Sequence, residues 1–301
     1  VITITTRADL RHWTGSARAT GKTVGFVPTM GSLHEGHRSL MRVARSANDA
    51  VVLSIFVNPL QFGPSEDLDA YPRDLGRDLD VAAAEGVDVV FAPTVSEMYP
   101  EAMVTTVHVA GLGDDLCGRS RPGHFDGVST VVAKLFSIVG PCFAYLGRKD
   151  AQQLAIVRRL TRDLDLPVTV VGCPLVRETD GLALSSRNAY LAPAERAAAV
   201  VISRSLRDVA DAVRRGERDA DAIRSIVTRA IATEPLVTLE YAEVRDATTL
   251  GAVTALSDET LVALAARVGN ARLIDNCTIT IHDTGVEIDL GVIATPAESE
   301  A

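Results

Sequence analysis

The sequence predicts an α/β protein: a parallel sheet covered by helices on both faces, followed by a smaller α+β domain. Three observations carry this reading. Short Val/Ile-rich runs alternate with helical periodicity through residues 1–175, and strands apolar along their whole length are those buried on both faces. From Val176 onward the order changes to helices followed by strands, as in a separate α+β domain over residues 176–301. A chain of 301 residues is also long enough for one large or two ordinary domains.

In the first domain the strand-like runs are Val24–Val27, Val51–Val57, Val87–Phe91, Phe143–Leu146 and Val168–Val171. Helical stretches fall between them, near 37–47, 74–85, 126–139 and 150–163. In the second domain, Ile202, Leu206, Val209 and Val213 share one face of a predicted helix over Glu195–Arg215, which Gly216 ends. Ile223, Ile226, Val227 and Ile231 define a second helix over Asp219–Thr233. Strands follow at Val237–Val244, Leu261–Val268 and Arg272–Ile281, with Gly269-Asn270 as a hairpin turn between the last two. The closing Thr295–Ala301, with two glutamates and no large apolar residue, reads as a disordered tail.

Composition narrows the function classes. With 47% hydrophobic and 23% charged residues, the chain reads as a soluble globular protein. Its 30 basic and 39 acidic residues give a net charge of −9, which argues against a nucleic-acid partner whose phosphates need neutralising. The longest apolar run, Val128–Val139, contains Lys134 and Ser137 and is short of the ~20 residues of a membrane helix. No secretory leader is evident. Cys117, Cys142, Cys173 and Cys277 are widely spaced and mostly in apolar runs, so they read as buried free thiols. That suits a reducing cytoplasm. The expectation is a cytoplasmic protein with neither membrane nor nucleic-acid partner.

The chemistry concentrates after the first strand, in Met30-Gly31-Ser32-Leu33-His34-Glu35-Gly36-His37. This reads as a glycine-bearing turn leading into a helix. A helix N-terminus presents unpaired N–H groups and a partial positive charge, which attract phosphate. Gly31 and Gly36 allow close backbone approach, and His34 and His37 add two donors. Metal ligation and ordinary surface placement are the other readings of this pair. A zinc-protease motif needs one more residue between its histidines. Two phosphate-loop imitations fail: Gly15…Gly21-Lys22-Thr23 has five residues between its glycines and precedes a strand, and Gly111-Leu112-Gly113 lacks a third glycine.

Five ordered blocks carry a family resemblance: VPTMGSLHEGH, SIFVNPLQFGPSEDLDAYPR, RPGHFDGVSTVVAKLF, GRKDAQQL and DGLALSSRNAYL. Together they resemble the pantoate–β-alanine ligase (pantothenate synthetase) family. His34-Glu35-Gly36-His37 is similar to the HIGH signature of its nucleotidyltransferase superfamily. The resemblance implies a Rossmann-like domain binding ATP and pantoate, and a C-terminal domain closing over ATP. The implied reaction joins (R)-pantoate to β-alanine through pantoyl adenylate, releasing pyrophosphate and AMP.

Residue by residue, the resemblance places the ATP site on Met30–His37, on Gly147, Arg148, Lys149 and Asp150, on the backbone of Val176, and on Leu184, Ser185, Ser186 and Arg187. His34, His37 and Lys149 are its catalytic residues, with His37 as proton donor. Gln61 reaches pantoate and β-alanine, and Gln153 reaches pantoate. Pro28, Met30, Val131 and Val132 are candidate apolar walls, and Asn58 and Tyr71 further pocket residues. Magnesium should accompany ATP, with Asp78 as the candidate ligand because position 77 of the family's acidic patch is arginine here. Arg148 departs from a usual glutamate and Leu184 from a frequent methionine. A homodimer is also implied. Two other readings stand at this point: a different nucleotidyltransferase, and a nucleotide-binding module without turnover.

Overall fold

The first strand forms earlier than the apolar runs suggest. In the computed structural model, which describes residues 1–63 and 68–294, β1 spans Ile2–Ile4 and α1 Arg7–Ala19. Neither is foreseen by sequence periodicity. Thr6 caps α1 by accepting from the Asp9 N–H, and only Leu10 and Thr14 of the helix are fully buried. The apolar stripe is therefore too thin to read.

The rest of the first unit follows the predicted alternation. β2 (Val24–Thr29), α2 (Glu35–Ala47) and β3 (Ala50–Ile55) lead to α3 (Leu75–Ala84) and β4 (Val89–Phe91). The short helices α4 (Val95–Met98) and α5 (Cys117–Ser120) precede α6 (His124–Val139). Then come β5 (Cys142–Gly147), α7 (Ala151–Asp163) and β6 (Val168–Cys173). The six strands lie in the order β1-β4-β3-β2-β5-β6, all parallel. Val27, Leu33, Met41, Val51, Leu53 and Val90 are among the residues that pack one core cluster of this unit.

The strand order reverses direction between β2 and β5. Such a switch point is where ligands bind in open α/β sheets, beyond the carboxyl ends of the strands. β2 pairs with β3 as far as Thr29↔Ile55 but with β5 only through Gly25 and Phe26. Pro28 has no N–H to extend a ladder. Pairing thus stops early on the side where the histidine turn emerges.

The chain divides into two compact units, Val1–Arg148 with Gln152–Cys173, and Lys149–Ala151 with the residues from Pro174 onward. The second contains β7 (Val176–Arg177), α8 (Pro193–Ala198), α9 (Val200–Arg214) and α10 (Ala220–Ile231). Its sheet is antiparallel, in the order β11-β10-β9-β8, from β8 (Val237–Asp246), β9 (Glu259–Val268), β10 (Ala271–His282) and β11 (Gly285–Asp289). β12 (Val292–Ile293) pairs in parallel with β7. Three differences from expectation arise here. The single helix expected over Glu195–Arg215 is two helices, joined at Ala199, where the Ile202 N–H bonds back only three residues to the Ala199 carbonyl. β11 is an additional strand, its alternation of Val286 and Ile288 with acidic residues too short to stand out. The β7–β12 pair rests on backbone hydrogen bonds between segments far apart in sequence. The predicted tail Thr295–Ala301 lies outside the described residues.

All four cysteines are free and buried, as expected. No helix among the described residues is long and apolar enough to cross a membrane.

Candidate active site

The turn after β2 is held entirely from within. Gly31 and Ser32 have φ of +85° and +51°. The Thr29 hydroxyl accepts from the Gly31 N–H at 3.2 Å and donates to the Ser54 carbonyl at 2.7 Å. Asp78, at 2% exposure, accepts the Ser32 N–H on Oδ2 at 2.9 Å and the Leu33 N–H on Oδ1 at 2.8 Å. A Cβ at Gly31 would stand 2.8 Å from that Oδ2, so the close grip requires glycine. The Leu33 side chain is buried in the core.

α2 begins at His34, whose Nδ1 accepts from the Gly36 N–H at 3.1 Å. The His34 N–H in turn donates to His37 Nδ1 at 3.3 Å, which closes a capping box made of two histidines, with ring centroids 4.0 Å apart. An Nδ1 that accepts a hydrogen bond leaves the proton of a neutral imidazole on Nε2. The same bonds that start the helix therefore set both rings as Nε2–H donors. Sequence alone suggests a direct part in anion binding for the backbone of this turn. Here the N–H groups of Gly31–His34, Gly36 and His37 already have protein acceptors. Glu35 turns along α2 to ion pairs with Arg42 and Arg38.

Beside the turn, the segment after β3 forms a 3-10 turn, Pro59–Gln61, capped by Asn58. Asn58, 1% exposed, donates from Nδ2 to Gln61 Oε1 and to the Gly127 carbonyl, both at 3.1 Å. Its Oδ1 accepts from the Tyr99 hydroxyl at 2.7 Å. Burial raises the Tyr99 pKa, so the phenol remains a donor at neutral pH. Gln61 Nε2 lies 3.2 Å from Met30 Sδ, which joins this amide cluster to the histidine turn. The Gln61 carbonyl accepts from His124 Nδ1 at 2.8 Å, and the Arg121 guanidinium meets His124 Nε2 at 2.9 Å. α6 approaches closely here: a Cβ at Gly127 would lie 2.1 Å from the Leu60 carbonyl oxygen. Val131, Val132 and Tyr71 are buried in the same unit. Gln153 is half-buried, while its neighbour Gln152 is committed to the carbonyls of Leu112 and Asp115 and the N–H of Cys117.

Asp78 is the candidate magnesium ligand that the resemblance nominates. It is buried, and each oxygen holds a backbone N–H. Among the described residues no group of three or more His, Cys, Asp or Glu is arranged to hold a metal ion. A cavity of about 290 Å³ is lined by Met30, Ile55, Phe56, Leu75, Asp78 and Val95 among others, but by none of His34, His37 or Gln61.

In the second unit Lys149 is mostly covered, with Nζ 4.0 Å from Asp150 Oδ2. Its carbonyl accepts from Asn276 Nδ2 at 2.8 Å. The neighbouring Asp275, at 2% exposure, receives both terminal nitrogens of buried Arg177 at 2.7 and 3.0 Å. Arg177 lies on β7 next to Val176, whose carbonyl accepts from the Leu184 N–H. That bond occupies one of the two backbone atoms Val176 would offer a base. Ser185 caps a 3-10 turn, Ser186–Tyr190, by accepting from the Arg187 N–H at 3.3 Å. Asn188 pins this turn to Glu178 and to the Ala183 carbonyl, and Arg196 binds both Glu178 and Asp180. The Arg196 guanidinium holds the Asp180 carboxyl below its usual range. Leu184–Arg187 are all half-buried. In the first unit, Arg148 runs beside Gly172, where its Cγ would meet an added Cβ at 3.6 Å.

Sequence reasoning missed Tyr99, Arg121, His124, Arg177, Asp275 and Asn276. Arg121 and His124 fall within a quoted block, but their contact with the Gln61 carbonyl is a tertiary fact.

The family model described as pantoate-beta-alanine ligase matches residues 2–278. The pantothenate synthetase of Heliobacterium modesticaldum is 55% identical over 91% of this chain and 97% of its own. Its counterpart in Acetivibrio thermocellus is 51% identical over 92% and 99%. The crystal structure of the Thermus thermophilus pantothenate synthetase superposes with a TM-score of 0.86 at 46% identity, covering 92% of this chain and 98% of that one. A pantoate-beta-alanine ligase from Francisella tularensis, solved with beta-gamma ATP and beta-alanine, gives 0.73 at 32% identity, covering 92% and 97%.

Proposed function

The chain belongs to the pantoate–β-alanine ligase family, and from that premise we propose how its own residues carry the ligation of pantoate to β-alanine. A pantoate carboxylate oxygen attacks the α-phosphorus of ATP, and the bond to pyrophosphate breaks. The β-alanine amine then attacks the acyl carbon of pantoyl adenylate, the bond to AMP breaks, and the amine loses a proton. The substrate supplies its own nucleophile, so the protein's task is orientation and stabilisation of developing phosphate charge.

The observation that carries this reading is the two-histidine capping box. It presents two Nε2–H donors at a helix N-terminus, at the switch point of a parallel sheet. His34 and His37 bind the triphosphate, and His37 donates to the oxygen that gains charge as pyrophosphate leaves. Gln61, supported by Asn58, His124 and Met30, and Gln153 hold the acid substrate, with Pro28, Val131 and Val132 as apolar walls. Lys149 and the Ser185–Arg187 turn supply the remaining donors to ATP, and Val176 and Leu184 the adenine contacts. Magnesium would accompany ATP on its phosphates and would neutralise part of their charge. We further propose a homodimer working in the cytoplasm, where four reduced, buried thiols are at home.

The test is pantoate-dependent exchange of labelled pyrophosphate into ATP with β-alanine omitted. Exchange establishes the adenylate and the order of the two steps. Absence of both exchange and AMP formation with all three substrates would refute the assignment.

A further inference from the structure

The buried carboxylate of Asp78 lies 45 and 46 residues from the turn it grips, and its contacts are specific. It takes two consecutive N–H groups, those of Ser32 and Leu33, at 2.9 and 2.8 Å. Charge-assisted bonds of this kind are roughly twice as strong as neutral ones. They hold a segment in which Gly31 and Ser32 are both in the left-handed region, at +85° and +51°. A non-glycine residue leaves that region readily unless its surroundings fix it. His34, the cap of α2, comes two residues after Ser32.

We propose that Asp78 is a positioning residue for the two histidines rather than a magnesium ligand. By clamping Ser32 and Leu33 it fixes the backbone from which the His34 N–H reaches His37 Nδ1, and so the direction and tautomer of both imidazoles. The site is consistent with this in two further ways. Asp78 is in the first turn of α3, where the helix dipole stabilises a carboxylate without any metal. Gly31 packs its α-carbon against the same oxygen, leaving no room for a methyl group. The inference rests on the reading that His34 and His37 contact the phosphates of ATP.

The experiment compares the unmodified enzyme with Asp78→Asn, which replaces one acceptor by an NH₂ group facing a backbone N–H. Three quantities are read: the exchange rate with its KM for ATP, the magnesium concentration giving half the maximal rate, and the imidazole ¹⁵N signals of His34 and His37. The expected result is a rate lower by about 10²-fold, the loss typical of a ~1 Å misplacement. The magnesium midpoint should be unchanged, and the imidazole signals should shift toward mixed tautomers. A normal rate overturns the proposal. So does a raised magnesium midpoint with unmoved imidazole signals, which would make Asp78 a metal ligand. If Asp78→Asn does not fold, deuterium exchange in the unmodified enzyme decides: the Ser32 and Leu33 amides should be protected, and fast exchange at either overturns the clamp. Absence of exchange activity in the unmodified enzyme would refute the functional reading instead. The imidazole and amide measurements would still decide the role of Asp78.

Discussion

Replacing Gly127 by alanine should disable acid binding without altering any side chain proposed to contact substrate. The added methyl would lie 2.1 Å from the Leu60 carbonyl oxygen, 2.4 Å from its carbon and 2.6 Å from the Gln61 nitrogen. A carbon–oxygen contact is comfortable at about 3.3 Å or more, so the overlap is about 1.2 Å. All three atoms are backbone, so no side chain can rotate away. Either the 59–61 turn or α6 must move by about an ångström, and Gln61 and its partner Asn58 move with it. Overpacking of this kind costs about 1–3 kcal/mol, which in a domain of this size lowers Tm by roughly 2–4 °C per kcal/mol. The functional cost should be larger, because a ~1 Å displacement of a positioning group can cost ~10²-fold. The assay is AMP release at varied pantoate, with the loss expected mainly in kcat/KM for pantoate. Gly15→Ala is the control: no atom lies within 4 Å of the added methyl in the interior of α1. There alanine should leave activity unchanged and stabilise by up to about 1 kcal/mol. A folded Gly127→Ala enzyme with normal kcat/KM for pantoate would refute the argument that this helix contact places Gln61.

Other predictions follow from the same geometry. His34→Asn keeps a good helix cap but removes the Nε2–H donor. Thermal stability should stay near that of the unmodified enzyme while exchange falls by about 10²–10³-fold, and equal losses in both would return His34 to a purely structural role. Asp275→Asn leaves the Arg177 charge buried at 4% exposure without its counter-ion. Urea unfolding should report a loss of about 3–5 kcal/mol, and a loss under about 1 kcal/mol would contradict the burial of the pair. Burial pushes the Cys142 and Cys277 thiols up to about 12 and Cys173 to about 11. Raised values keep these groups as protonated, unreactive thiols at about pH 7–8. Peptide mapping after iodoacetamide treatment of the folded enzyme should find all three unmodified, with reaction following unfolding, and rapid labelling of any of them near neutral pH would disprove their burial.

Local chemistry made much of the fold legible. Val/Ile runs buried on both faces announced β2–β6, and the 4-3-4 spacing of Ile202, Leu206, Val209 and Val213 announced α9, because these patterns are set by the period of one element. α1 and β1 escaped because they bury too few apolar side chains to leave a period. The histidine turn stood out by its own spacing, whereas Gln61 and the Ser185–Arg187 segment were nominated only by the family resemblance.

What the sequence could not determine was which polar groups are already spent. Asp78 was nominated as a metal ligand by the family resemblance, whose acidic patch falls near residues 77–78. Only folding showed that it holds Ser32 and Leu33, 46 and 45 residues earlier in the chain. The turn amides looked ready for phosphate, yet each of those at 31–34, 36 and 37 has an acceptor inside the protein. Hydrogen bonds such as those to Asp78 depend on distance and direction between segments remote in sequence. The sequence by itself determined the element types, the motif and the family's chemistry, because these reside in short-range patterns. Tertiary structure decided which donors hold the scaffold, because a buried polar group takes whatever partner the packing brings within about 3 Å.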